Sequence, residues 1–172
     1  MSPFFNWETL AMRRKDREVK ELSEITRIID SSDCCRLGLV DEGKAYIVPM
    51  NFGYEVIGGE IVLHLHSARE GRKISLIEKE PMVSFEMDGG HSLKKGDTAS
   101  SFSFFYQSIM GSGRIEILKD KEEKKHGLKR IMEHYTQCSD WDFDDKALEA
   151  TCVLRLSVME LSAKANKRPI EK

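Results

Sequence analysis

The chain has 172 residues, 40% hydrophobic and 33% charged, with a formal net charge of −2. That length suits a single domain over residues 1–172 with its core at about 12–164, and the apolar fraction is enough for a core, so general disorder is excluded. The charge balance lacks the basic footprint of a nucleic-acid or membrane-surface binder, and no apolar run approaches the ~18 residues of a membrane helix.

The start "MSPFFNWETLAMRRK" carries its basic residues after its apolar ones, the reverse of a secretory signal, so a cytoplasmic location is expected. The run Arg13–Arg17 is broken by Asp16 and followed by Glu18 and Glu21, and reads as a solvated helix face. Val19, Leu22, Ile25, Ile28 and Ile29 recur at helical spacing across Glu18–Ile29. Cys34 and Cys35 are adjacent, Cys138 and Cys152 are isolated, and no C-x-x-C occurs, so neither zinc nor a structural disulfide is expected.

"CRLGLV" and "AYIVPMNFGYEV" flank a turn at Gly43 and read as a hairpin. Pro49 cannot donate to a ladder, so it marks an edge, a bulge or a strand end. A turn at Gly58–Gly59 leads into a third strand ending "LHLH". Ser67 closes it and stands three residues before Glu70, the spacing of a capping box, which predicts a short helix to about Glu80 stopped by Pro81. "MVSFEM" is a fourth strand, and "DGGHSLKKGDTASS" reads as a polar loop.

"FSFFYQSIMGSGRIEIL" is a long strand, with a bend or bulge at Gly111 and Gly113. "KDKEEKKHGLKRIMEHYT" is an amphipathic helix carried by Leu128, Ile131 and Met132. A polar stretch with Trp141, a last strand "ATCVLRLSVMEL" and a basic tail complete the chain. The fold class is mainly β. About six strands in hairpin-linked runs pair antiparallel, and a short chain manages its edges best by closing them into a β-barrel with helices outside.

The join between the third strand and its helix, Leu63–Lys73, has the chemistry of an anion site. Alternation puts Leu63 and Leu65 on one face and His64 and His66 on the other. A helix start leaves N–H groups without internal partners at the positive end of the macrodipole, which suits a phosphate. Ser67 offers a hydroxyl, Gly71 permits close approach, Arg72 a planar fork and Lys73 a point charge. The plain alternatives are a solvated turn and histidines on a half-wet sheet face. An H-x-H on a strand can also hold a metal, but His91, His126 and His134 lie in other elements, so no metal is expected.

The blocks "MRRKDREV", "YIVPMNFGYE", "LHLHSAREGRKISLI" and "FYQSIMGSGRIEIL", followed by a helix ending "MEHY", occur in this order over about Met12–Lys164. In these blocks the chain resembles the pyridoxamine 5′-phosphate oxidase-like FMN-binding split-barrel proteins, and within them the group related to nitroimidazole-resistance proteins. The resemblance implies a six-stranded antiparallel split barrel that forms a homodimer, with FMN in each of two clefts at the interface. Arg72 and Lys73 match the phosphate-gripping pair. His66 and Ser67 match strand-end residues touching the phosphate and ribityl chain. Val48, Pro49, Met50 and Asn51 match the strand whose backbone borders the ring, and Ser108, with Tyr106 beside it, matches a polar position reaching the flavin chain.

The resemblance therefore implies an FMN-dependent oxidoreductase taking electrons from NAD(P)H and passing them to a nitro-aromatic or quinone-like acceptor. His66 is the candidate proton donor or ligand contact, with an ordinary imidazole pKa near ~6.5 suiting either role. The tail "ELSAKANKRPIEK" lacks the arginine segment with which pyridoxamine-phosphate oxidases contact their substrate, so that activity is not expected. Ser100 and Ser101 stand near the position at which the nitroimidazole group often carries a small thiol or hydroxyl residue, and Trp141 either stacks on flavin or fills the interface. No G-x-G-x-x-G follows a strand, which keeps open a binding protein without turnover, holding flavin, or haem through His64 or His66.

Overall fold

The computed structural model describes residues 12, 14–138 and 140–166. Eight strands form one antiparallel sheet: β1 (Glu18–Val19), β2 (Cys35–Asp41), β3 (Lys44–Met50), β4 (Phe52–Ile57), β5 (Glu60–Ala68), β6 (Met82–Lys94), β7 (Ser103–Ile117) and β8 (Thr151–Asn166). Their order is β3-β2-β6-β7-β8-β5-β4, and the two-residue β1 pairs with β8. β3 and β4 stand at opposite ends of this order, yet only Asn51 separates them along the chain. The backbone itself therefore brings the two ends together, and the sheet curls into a barrel whose seam lies between β3 and β4.

That break at Asn51 corrects the strand count. "AYIVPMNFGYEV" is two strands, one pairing with β2 and the other with β5. The barrel class expected from the sequence stands, with eight strands in place of six.

Both tight hairpins follow from glycine. Glu42 and Gly43 (φ 50° and 76°) turn β2 into β3, and Gly58 and Gly59 (φ 61° and 93°) turn β4 into β5. Two consecutive residues at positive φ match the right-handed twist of the flanking strands. Pro49 lies in the edge strand β3, where its missing N–H costs no ladder bond on the open side. The register of β7 against β8 shifts between Ser112 and Gly113, the bulge expected there.

The barrel interior is apolar and closed. Leu37, Phe52, Leu63, Leu65, Met87, Ile109, Leu154 and Leu156 are fully buried. Each such side chain contributes roughly 1.5–3 kcal/mol relative to exposure.

Four helices lie outside. α1 (Leu22–Asp30) buries Ile25, Ile28 and Ile29. It starts later than the periodicity suggested, because Glu18 and Val19 pair with Lys164 and Ala163 instead. Lys15–Arg17 form a single 3-10 turn rather than a helix face, and Arg13 lies outside the described residues. α3 (Lys121–Thr136) is capped by Asp120, whose carboxylate accepts from the amides of Glu122 and Glu123. α4 (Asp145–Ala150), which follows Trp141 in the stretch read only as polar, is capped by Asp144.

α3 sits unusually close to the sheet. A Cβ on Gly53 of β4 would fall within 2.2 Å of the Arg130 carbonyl oxygen, and one on Gly127 within 2.9 Å of Val153. Glycine at both places lets the helix backbone rest directly on β4 and against side chains of β5 and β8.

Two further expectations change. β6 continues through the supposed loop to Lys94, with a register shift between Gly89 and Ser92 where Gly90 has φ 65°. β8 runs on to Asn166, so the start of the basic tail is paired strand, while its end lies outside the described residues. No helix among the described residues is long and apolar enough to cross a membrane.

Candidate functional site

The join folds differently from the capping-box reading. α2 spans Arg72–Lys79, and its N-cap is Gly71 at φ 131°, a conformation glycine alone adopts readily. Ser67 is one pair short of the end of β5, opposite Cys152. Its side chain falls on the inner face with Leu63 and Leu65, and its Oγ is buried with no hydrogen-bond partner among the described residues. Ser67 therefore caps nothing and does not present its hydroxyl to the open side of the join.

The helix start itself is accessible. Nothing lies within 4 Å of where a Gly71 Cβ would point. The first helical bonds are from Ile74 and Ser75 to the Gly71 carbonyl, so the amides of Arg72 and Lys73 precede the ladder. Arg72 is exposed and Lys73 half-buried. An open positive helix end flanked by two cations fits a phosphate.

Arg72 already has partners. Its Nε donates to Asp41 Oδ2 at 2.6 Å, its Nη2 pairs with the same oxygen, and its guanidinium lies 4.4 Å from the Tyr46 ring centroid. Asp41 ends β2 and Tyr46 sits in β3, so the guanidinium ties α2 to the β2–β3 hairpin. No spacing rule ties Arg72 to Asp41, 31 residues earlier on another element.

His66 faces outward beyond α3. Burial of one side of the ring lowers its pKa below the usual histidine value, and the Lys73 charge lowers it further. The ordinary pKa expected from sequence is thus corrected. His66 is neutral at neutral pH, which suits a ligand contact better than a proton donor. Lys73 is near enough for its charge to be felt at the ring.

β3 contributes an edge. Val48 and Met50 point inward, Pro49 outward, and Asn51 is exposed at the seam. Among the described residues one row of β3 backbone groups has no strand partner, so a planar heterocycle could take hydrogen bonds from it.

Tyr106 and Ser108 are not assembled with this group. Ser108 pairs with Asp88 in β6, while Arg72 reaches Asp41 at the far end of β2, which pairs with β6 through Arg36 and Glu86. That offset is about seven residues, roughly 23 Å along the strands. Tyr106 instead accepts a hydrogen bond from Arg17 at 3.3 Å. Between the two groups runs a groove of about 530 Å³ on the outer sheet face, lined by Ile47, Met110, Leu161, Arg36, Glu86 and Glu160 among others. Ile47 and Met110 are 63% and 48% exposed, an apolar surface on a barrel wall.

His64 was expected on a half-wet face. It is 2% exposed beneath α3 and hydrogen-bonds through Nε2 to Glu55 Oε1 at 2.8 Å. A haem could not approach it, which removes one of the two haem ligands considered. The fold also supplies the neighbours that spacing could not: Glu55 from β4 and His126 from α3. Trp141 donates to Thr136 Oγ1 at 3.2 Å on the surface.

Similarity to known proteins agrees with this architecture. A family model described as pyridoxamine 5′-phosphate oxidase matches residues 21–165. A crystal structure from Bacteroides thetaiotaomicron, described as a candidate 5-nitroimidazole antibiotic resistance protein, is 35% identical, covers 86% of this chain and 86% of its own, and superposes with a TM-score of 0.76. The flavocytochrome Anf3 of Azotobacter vinelandii shares the fold at 21% identity, covering 95% and 76% of the two chains with a TM-score of 0.76. An FAD- and haem-binding protein of Mycobacterium smegmatis does so at 17%, covering 91% and 77%, with a TM-score of 0.73. No curated protein matches the sequence. With nearly the whole barrel inside the family match, the chain belongs to the pyridoxamine 5′-phosphate oxidase family.

Proposed function

We propose that the chain is an FMN-binding oxidoreductase that works as a homodimer. The observation that carries this reading is the convergence of Arg72, Lys73 and neutral His66 at the open start of α2, beside the unpaired edge of β3. Arg72 and Lys73 would hold the phosphate, with the first amides of α2. The β3 edge near Pro49–Asn51 would hold the ring by backbone groups, and Val48 and Met50 would fix that edge by their packing inward. Ser67 would keep the end of β5 in place.

Flavin, when bound, supplies two-electron chemistry that no side chain here provides. The overall reaction would move two electrons and a proton from a reduced nicotinamide nucleotide to a quinone, which takes a second proton from water and leaves as the quinol. Nitro-aromatic acceptors belong to the same class of electron sink. The role left to the protein is to bind, orient and shield.

Two features that one chain leaves unfinished support the dimer reading. Tyr106 and Ser108 lie at the wrong end of the sheet to reach a ligand at Arg72, and the apolar groove between them is open. A second copy laid across that groove would cover Ile47 and Met110 and bring its own Tyr106 and Ser108 toward the first copy's join.

The test is the visible spectrum of the purified chain, identification of the released chromophore by mass, and anaerobic mixing with NADH or NADPH. A two-banded flavin spectrum bleached by one nucleotide and restored by a quinone is expected. A protein that holds flavin but is reduced by neither nucleotide would leave a flavin carrier in place of the enzyme.

A further inference from the structure

On the outer wall covered by α3, three side chains converge that the flavin reading does not use. We propose that Glu55, His64 and His126 form a binding site for a divalent transition-metal ion such as Zn²⁺. His64 Nε2 lies 2.8 Å from Glu55 Oε1, and His126 Nε2 lies 3.0 Å from both Glu55 oxygens. One ligand atom from each residue falls within 4.8 Å of the other two. The two imidazoles meet edge-on, at 79° with centroids 5.5 Å apart.

Two imidazoles and one carboxylate are a donor set that zinc accepts, with nitrogen and oxygen at ~2.0–2.2 Å and a further position left for water. The carboxylate stands between the rings, so negative charge already faces the point where a cation would sit. Burial grades from His64 (2% exposed) through Glu55 (20%) to His126 (50%), which gives an anchored inner ligand and an open outer one. An ion could enter from the His126 side, and that half-exposed ring has room to swing as the hydrogen-bonded contacts widen to coordination geometry.

The surroundings permit a cation. Arg155 is the positive group near His64, and its charge is engaged by Glu116 at 2.9 Å and Glu123 at 3.0 Å. Gly127 sets the height of α3 above His64, since a Cβ there would lie 3.0 Å from His64 Nδ1. Among the described residues that Nδ1 has no hydrogen-bond partner, so the ring is oriented by packing and by its Nε2 contact to Glu55. Metal-bound histidines are usually steadied by such a partner, whose loss costs 10–100-fold in affinity. The site is accordingly weaker than one built with it. Its three ligands come from β4, β5 and α3, so binding would pin the helix to the barrel and stabilise the fold.

The test uses the whole chain stripped with a chelator, titrated with Zn²⁺ against a chromophoric competitor, with Co²⁺ as an optical probe and melting curves in parallel. One equivalent of Zn²⁺ per chain, a Co²⁺ visible spectrum displaced by Zn²⁺, and a Zn²⁺-dependent rise in melting temperature are expected. His126→Ala, at a half-exposed helix position, should fold, weaken Zn²⁺ binding by about 100-fold or more, and abolish the melting shift. Glu55→Gln should do the same. The proposal is overturned if wild type binds no Zn²⁺, or if His126→Ala and Glu55→Gln both bind it as tightly as wild type. Flavin enters neither readout.

Discussion

Arg72, the side chain best placed to hold a phosphate, is clasped in the free protein by Asp41, with Nε to Oδ2 at 2.6 Å. Tyr46 supports the guanidinium from below. A ligand phosphate would meet an arginine already oriented, but one sharing its charge with a carboxylate.

Removing the cations should release the cofactor. Each charge-assisted contact is worth roughly 1.5–3 kcal/mol, so Arg72→Ala with Lys73→Ala should weaken FMN by about two to four powers of ten. Equilibrium dialysis with circular dichroism checks it. A folded double variant that keeps its flavin would place the phosphate elsewhere.

Asp41→Asn should act in the opposite direction. An exposed ion pair is worth about 0–1 kcal/mol, so freeing Arg72 should tighten FMN by up to about fivefold at low salt. The gain should shrink as salt screens the phosphate. Weaker binding in the variant would mean that Asp41 serves to position Arg72 rather than to compete for it.

The seating of α3 can be tested through its glycine contact. Gly53→Ala forces a methyl into the Arg130 carbonyl. Overpacking of this kind costs typically 1–3 kcal/mol, and backbone gives way less readily than a side chain. The midpoint of urea unfolding should fall with an unchanged slope. An unaffected midpoint would mean that the helix rides higher than described.

Thiol chemistry should be selective. Burial pushes the Cys35 thiol up to about 12, and burial also raises Cys152. Because the thiolate is the reactive form, Cys35 stays protonated until pH approaches that value. At pH 8 in the folded protein, Cys138, which is exposed, should react first with a thiol reagent, and Cys35 only on unfolding. Rapid labelling of Cys35 in the folded protein would contradict its burial.

Local rules were legible where one residue type decides the backbone. Pro49 limited its strand to an edge, a bulge or an end, Gly43 and Gly58–Gly59 marked turns, and Gly111 and Gly113 a bend or bulge. The join was half legible: the cations and Gly71 were found, yet Ser67 was misread, because a capping-box spacing does not say whether the strand has ended. Asn51 ends one edge strand and starts the other across the seam of the barrel, a break that only closure of the sheet explains. The Arg72–Asp41 clasp and the Glu55–His64–His126 cluster were hidden for a similar reason. Their members lie on separate elements, and no periodicity ties Glu55 to His126 across 71 residues.

The most direct measurement is titration of flavin-free protein with FMN, following flavin fluorescence and molecular mass together. One FMN per chain, bound by a dimer and lost in the Arg72→Ala, Lys73→Ala double variant, is the expected result. A chain that stays monomeric and leaves FMN free at saturating concentration would contradict it.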